Sequence, residues 1–212
     1  MGVASLSVEE LLKEVSPLKY NCAGIHPWWL EDYPKEDIEK LQTHIESMLV
    51  AGKLWAIGET GMDRMYPEFL EQQKELFQWH LEKAEKYQLP LVIHNVRSGS
   101  DLLSVIKEKK PTTPWIFHDY RGNEELTKDI LRLHPKSYFS FGLSLDNSTQ
   151  IRELLPLIPL EHLFLETDAQ KHLDIHDIYI RASEVLGIDV EFLKSQIWHN
   201  FKKIDQNRVV SH

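Results

Sequence analysis

The sequence predicts an α/β fold, a β/α (TIM-type) barrel that is incomplete or distorted at its N-terminal strand. Three observations predict it. Short β-rich runs alternate with longer helical patterns along the 212 residues. The β-rich runs are nearly continuous apolar segments, as parallel strands buried on both faces must be. Polar residues of metal-ligand type recur where these runs end. A doubly wound open sheet is the alternative. The length suits one domain over residues 1–212.

Residues 7–16, "SVEELLKEVS", read as a helix with Ser7 as N-cap and Glu10 completing a capping box. "YNCAGIHP" (20–27) is a strand stopped by Pro27, and residues 35–52 form an amphipathic helix closed by Gly52. "LWAIGETG" (54–61) is a strand, followed by a long helix over 67–88 with Pro67 in its first turn. Strands at 89–94, 114–118, 138–145 and 163–168 alternate with helices at 99–110, 123–135 and 148–158. The segments "IHDIYIRASEVLG" and "DVEFLKSQIWHNFKKI" supply the last helices. The count is about six strands and a weak last one, where a closed barrel has eight.

Hydrophobic residues at 42% and charged residues at 27% place the chain among globular proteins. No apolar run is long enough for a membrane span, and "MGVASLSVEELLKEVS" lacks the layout of a secretory signal. The single cysteine, Cys22, rules out an intrachain disulfide and fits a reducing cytoplasm. The net charge of −9 gives no general attraction for nucleic acid. It leaves room for an enzyme that holds one phosphate through bound cations, which bring their own local charge.

Glu59, His94, His118 and Asp168 all fall at C-terminal ends of predicted strands. In a β/α barrel those ends share one rim, where active sites lie. Two imidazoles and two carboxylates suit zinc, manganese or a similar divalent ion, and a glutamate can bridge two ions. Taken singly, each histidine could equally bond a backbone carbonyl, and each carboxylate could cap a turn. His26, in "GIHPWW", fits a ligand, a substrate contact or a turn residue. Trp28 and Trp29 could stack on a base or cover the barrel's edge. Arg97 and Arg121 each lie three residues beyond a candidate histidine, on loops near the rim, where they could pair with a phosphate or be ordinary solvated arginines. Asp63 orders its loop or caps it. His134 and His162 sit at the other ends of elements and read as surface residues.

The ordered set "AGIHPWW", "AIGETGMD", "LPLVIH", "WIFHDYRG" and "LFLETDA" resembles the TatD-type metal-dependent deoxyribonucleases, over roughly residues 20 to 205. The resemblance implies a metal-dependent hydrolase barrel that hydrolyses phosphodiesters at nucleic acid ends. It implies one or two divalent ions per chain (zinc, manganese or magnesium). It implies that Glu59 bridges the ions, that His94 and His118 bind one of them, and that Asp168 binds the other and acts as general base. It places His26 near the substrate phosphate. No protein partner is evident; a homodimer covering exposed sheet edges is an open expectation.

The chain departs from the family in one respect. The family begins with a strand carrying a His-x-His pair, and the segment before Tyr20 contains no histidine. Three accounts compete: the first strand lies outside this chain, the pair is lost and Glu59, His94 and His118 hold one metal, or the chain is an inactive relative. Gln170 also stands where the "ETDA" motif usually continues with proline. A hydrolase of small amides or esters on the same barrel is the alternative function.

Overall fold

The computed structural model describes residues 3–13, 20–168 and 174–206. Seven strands form one parallel sheet in sequential order. They are β1 (Ala4–Ser5), β2 (Asn21–Ala23), β3 (Ala56–Asp63), β4 (Leu91–Val96), β5 (Trp115–Phe117), β6 (Ser137–Phe141) and β7 (Leu163–Leu165). Ten α-helices accompany them: α1 (Val8–Lys13), α2 (Trp29–Asp32), α3 (Lys35–Val50), α4 (Leu70–Tyr87), α5 (Gly99–Lys109), α6 (Glu124–Leu133), α7 (Ser144–Asn147), α8 (Thr149–Leu154), α9 (Ile175–Leu186) and α10 (Val190–Gln206), counted among the described residues.

The sheet is a partial β/α barrel. Each strand pairs with the next in parallel register, from Ala4 opposite Asn21 to Phe141 opposite Leu165. Among the described residues no pairing joins β7 to β1, so the barrel is open there. An extra strand, β1, precedes α1, where the sequence predicts none. Its two residues are too few to show a hydrophobic period. The predicted capping box is present: the Ser7 backbone N–H donates to Glu10 Oε2 at 3.0 Å, and the Glu10 N–H donates to Ser7 Oγ at 3.3 Å. Residues 14–16 of the predicted first helix and Gln170 lie outside the described residues. The strand expected over 138–145 stops at Phe141, and residues 144–147 form α7 instead.

Alternation along the strands sorts side chains into two layers. Ile57, Leu91, Ile93, Trp115, Phe117, Phe139 and Leu163 join the large core beneath the helices. Cys22, Ala56, Val92, Ile116, Tyr138 and Phe164, from six successive strands, pack together around Phe201 and Ile204 of α10. That shared inner layer means the sheet is curled and α10 plugs one end of it. Trp55 stacks on Phe201 with centroids 5.2 Å apart, and its indole N–H donates to Asp205 at 3.0 Å. Asn200 Nδ2 donates to the carbonyls of Leu160 and Leu163, which latches the plug to β7. The other end is left for polar side chains.

Two histidines expected at the surface are not there. His134 is buried against Trp115, with centroids 5.1 Å apart, and its Nδ1 lies 2.9 Å from Ser137 Oγ. The half-buried His162 donates from Nδ1 to the Ser137 carbonyl at 2.7 Å. Both tie β6 to its neighbours.

Glu85 of α4 fixes the turn entering β5. Its carboxylate accepts the backbone N–H groups of Thr112 and Thr113, both at 2.9 Å, and both hydroxyls. Burial pushes this carboxyl upward, but those four bonds outweigh it and hold the pKa below the ordinary value of 4.5. The stability gained is therefore complete above pH 4.5 and fades as the pH falls through the lower native value. Glu85→Gln is expected to lower unfolding stability at pH 7 by about 1 kcal/mol, at the modest end because the group is partly solvated. Denaturant melts of both proteins should converge in strong acid; a gap that persists there would show that charge is not the cause.

Candidate metal centre

The inner layer changes chemistry two residues further along each strand. Beyond Cys22, Ala56, Val92, Ile116, Tyr138 and Phe164 come Gly24, Gly58, His94, His118, Ser140 and Glu166. The period of two thus carries apolar packing at the plugged end and polar groups at the rim.

Glu59 reaches that rim through an irregularity. Ile57 pairs with Leu91 and Thr60 with Ile93, so three steps along β3 match two along β4. The extra residue reverses the strand's phase. Thr60 and Met62 turn toward the helices, and Glu59 and Asp63 face inward. Simple alternation from Ala56 would have sent both carboxylates outward. Gly58 permits the bulge: its φ is +132°, and a Cβ there would lie 2.4 Å from the Val92 carbonyl oxygen. The buried His80 of α4 braces both turns at this point. Its Nε2 accepts the Ile25 N–H at 3.0 Å, and its Nδ1 lies 2.7 Å from the Leu76 carbonyl and 3.0 Å from Thr60 Oγ1. Burial lowers its pKa to about 4, so it stays neutral and keeps an acceptor nitrogen.

Glu59 lies between two groups of side chains. On one side its Oε1 is 3.1 Å from His118 Nε2, and that nitrogen is 3.5 Å from Asp168 Oδ1. On the other side His26 Nε2 is 3.9 Å away, and the His26 and His94 rings meet with centroids 4.4 Å apart. Ligand atoms of His26, Glu59 and His94 all lie within 4.8 Å of one another. All four predicted ligands and His26 therefore converge.

A cation fits this donor set. Glu59 Oε1 is buried and makes no hydrogen bond, despite its ion-pair contact with His118. Burial raises the Glu59 pKa, opposed by His118. Burial also presses His118 downward, but its hydrogen bond to Glu166 and the charges of Glu166, Glu59 and Asp168 lift it to about 10. The imidazolium is balancing a surplus of carboxylates. His94 donates from Nε2 to Asp63 at 3.2 Å, which leaves Nδ1 as its lone-pair nitrogen.

His26 is set differently. Its Nδ1 accepts the Trp28 backbone N–H at 3.2 Å, so the neutral ring carries its proton on Nε2. Burial and the neighbouring His94 and His118 lower its pKa to about 3, which keeps it neutral. A protonated Nε2 is a donor, not a ligand, although its spacing alone would admit it to a metal group.

Glu166 is the site residue the sequence reading missed. Its Oε1 accepts from His118 Nδ1 at 2.7 Å and from the Asp119 N–H at 3.0 Å. The available signal was alternation, since Glu166 lies two residues beyond the inward Phe164. Asp168 is 48% exposed, within reach of solvent. Arg97 and Arg121 differ. Arg121 is held by Asp119 at 2.7–2.8 Å. Arg97 is exposed and has no carboxylate partner among the described residues. Arg97, Asp119 and Asp168 all have positive φ (53°, 35° and 49°), each just past a strand end. Strained backbone of this kind gathers at functional rims.

The family model for TatD related DNase matches residues 3–205. The chain belongs to the TatD family. It is a family of metal-dependent hydrolases. The chain is 27% identical over 224 residues to "Uncharacterized metal-dependent hydrolase YcfH" of Escherichia coli (strain K12), covering 97% of this chain and 82% of that one. It is 28% identical over 159 residues to "Uncharacterized metal-dependent hydrolase TatD" of Mycobacterium tuberculosis, covering 71% of this chain and 58% of that relative's length. The fold matches the crystal structure of the TatD homologue YjjV from Escherichia coli with a TM-score of 0.78 at 22% identity, over 95% of this chain and 85% of that one. A TatD-family hydrolase from Entamoeba histolytica gives 0.76 at 20% identity, over 95% and 83%.

Partners that orient a metal-binding histidine typically raise affinity 10- to 100-fold. Glu166→Gln is therefore expected to weaken manganese or zinc binding by about 10- to 100-fold. Titration against a competing chelator reads this directly, and unchanged affinity would detach Glu166 from the centre.

Proposed function

We propose that this TatD-family chain hydrolyses phosphodiesters at nucleic acid ends, with divalent metal held by Glu59, His94, His118 and Asp168. The observation that carries the reading is the buried Glu59 Oε1, which makes no hydrogen bond, between His118 with Asp168 on one side and His26 with His94 on the other. A bound divalent ion supplies acidified water and positive charge facing a phosphoryl oxygen. These donors would suffice for one ion.

The protein's own groups divide the remaining work. Asp168 is solvent-accessible, and burial raises its pKa against the pull of His118, so it is suited to take a proton from the attacking water. His26, neutral with its proton on Nε2, donates to a non-bridging phosphate oxygen. Arg97, exposed and without a carboxylate partner among the described residues, can pair with the phosphate, and Arg121 reaches it by leaving Asp119. His118 is held by Glu166 and does not turn away from the site.

Protein loaded with manganese is expected to shorten end-labelled single-stranded DNA. Glu59→Gln, or His94→Ala with His118→Ala, should lose bound metal and at least about 100-fold in kcat/KM. Turnover confined to a panel of small amides and esters would overturn the nuclease reading. Protein that takes up no metal from zinc or manganese solutions would overturn the hydrolytic one.

A further inference from the structure

Trp28 is 46% exposed and lies directly beside the candidate centre. Its neighbour Trp29 packs half-buried on the core and against Tyr33, so the task of covering the edge falls to Trp29. Trp28 is fixed in place. Its indole N–H donates to Asp63 Oδ2 at 2.7 Å, and its ring makes T-shaped contacts with His26 (4.7 Å between centroids) and His94 (5.4 Å), with Tyr66 at 6.2 Å. Asp63 is itself anchored. Its Oδ1 accepts the Met65 N–H, and its own N–H donates to Gln73 Oε1 at 2.8 Å. Gln73, fully buried on α4, also donates to the carbonyls of Asp63 and Tyr66. A chain of hydrogen bonds thus runs from the helix layer to an exposed indole at the rim. An exposed indole already held in one orientation offers a flat face that can stack on a ligand without first being ordered.

We propose that Trp28 is a stacking platform for the terminal nucleobase of the substrate, and so a specificity-determining residue. The inference rests on the nuclease reading above. The ring adjoins His26, the proposed phosphate donor, and in a nucleotide the base sits one sugar away from the phosphate. Stacking on an aromatic ring accepts any base, since every base has a π-face, and rejects an end that lacks one.

The test uses matched single-stranded oligonucleotides whose terminal nucleotide is either intact or abasic. Binding is read by anisotropy with hydrolysis-resistant phosphorothioate ends, and cleavage of the ordinary diesters gives kcat and KM separately. The full chain loaded with manganese is expected to bind the intact end about tenfold more tightly. Trp28→Ala should erase that preference, mainly in KM. Trp28→Phe, which keeps a ring but loses the Asp63 bond, should retain most of it. A terminal 2-aminopurine should be quenched by wild type and not by Trp28→Ala. Equal affinity for both ends, or a preference that survives Trp28→Ala, overturns the platform while leaving the nuclease reading intact. Failure to bind or cut either oligonucleotide overturns both.

Discussion

The rim depends on a single extra residue in β3. A strand shows alternate faces, so its phase decides which side chains enter the barrel. Before the bulge Ala56 faces inward and Ile57 outward; after it Glu59, Gly61 and Asp63 face inward and Thr60 and Met62 outward. One shift therefore delivers the carboxylate beside His118 and the carboxylate that holds Trp28 and His94. It also turns Thr60 toward His80, whose other nitrogen takes the Ile25 N–H just before His26. The two site-bearing turns are registered to each other through one neutral imidazole. If His80 were charged, it would have no acceptor for Ile25, and burial is what prevents that.

Electrostatics completes what the backbone arranges. Glu59, Glu166 and Asp168 surround His118, while no Lys or Arg forms an ion pair with Glu59 or Glu166 among the described residues. The proton on His118 is the positive charge that the cluster recruits from its own side chains. Buried carboxylates in excess are costly unless a cation compensates them. The same imbalance that raises the His118 pKa is one that a divalent ion held at this rim would relieve. His26 stands apart because the Trp28 N–H occupies its Nδ1. His118 and His26 lie 3.1 and 3.9 Å from Glu59 Oε1, but His118 donates from Nδ1 to Glu166 whereas His26 accepts at Nδ1 from Trp28, and that decides which suits a ligand and which a donor.

Much of this was legible in the sequence. Apolar runs marked six strands because parallel strands buried on both faces need no polar alternation. Ser7 and Glu10 announced a helix start because a capping box is a local interaction. Glu59, His94, His118 and Asp168 could be grouped because strand ends in a barrel share a rim. What stayed hidden is tertiary. The bulge is a matter of pairing register, which no single strand displays. Glu166 acts through the back of His118 and was masked by the more obvious aspartate two residues on. His134 looked like a helix-end surface residue, yet Trp115 and Ser137 enclose it. β1 has only two residues, and its existence depends on the edge that β2 offers.

On the proposed nuclease reading, an acidic protein acting on an acidic polymer must confine its attraction to one place. At a net charge of −9 the surface as a whole repels phosphate, and screening limits that repulsion to about 10 Å at ordinary salt. On that reading binding would come from short-range terms: a metal ion, the donor on His26, an arginine with no carboxylate partner among the described residues and a flat ring. Such terms act on one or two nucleotides and gain nothing from a long duplex. A site built in this way on a repulsive surface would engage such a chain where least of it must approach, which is at its end.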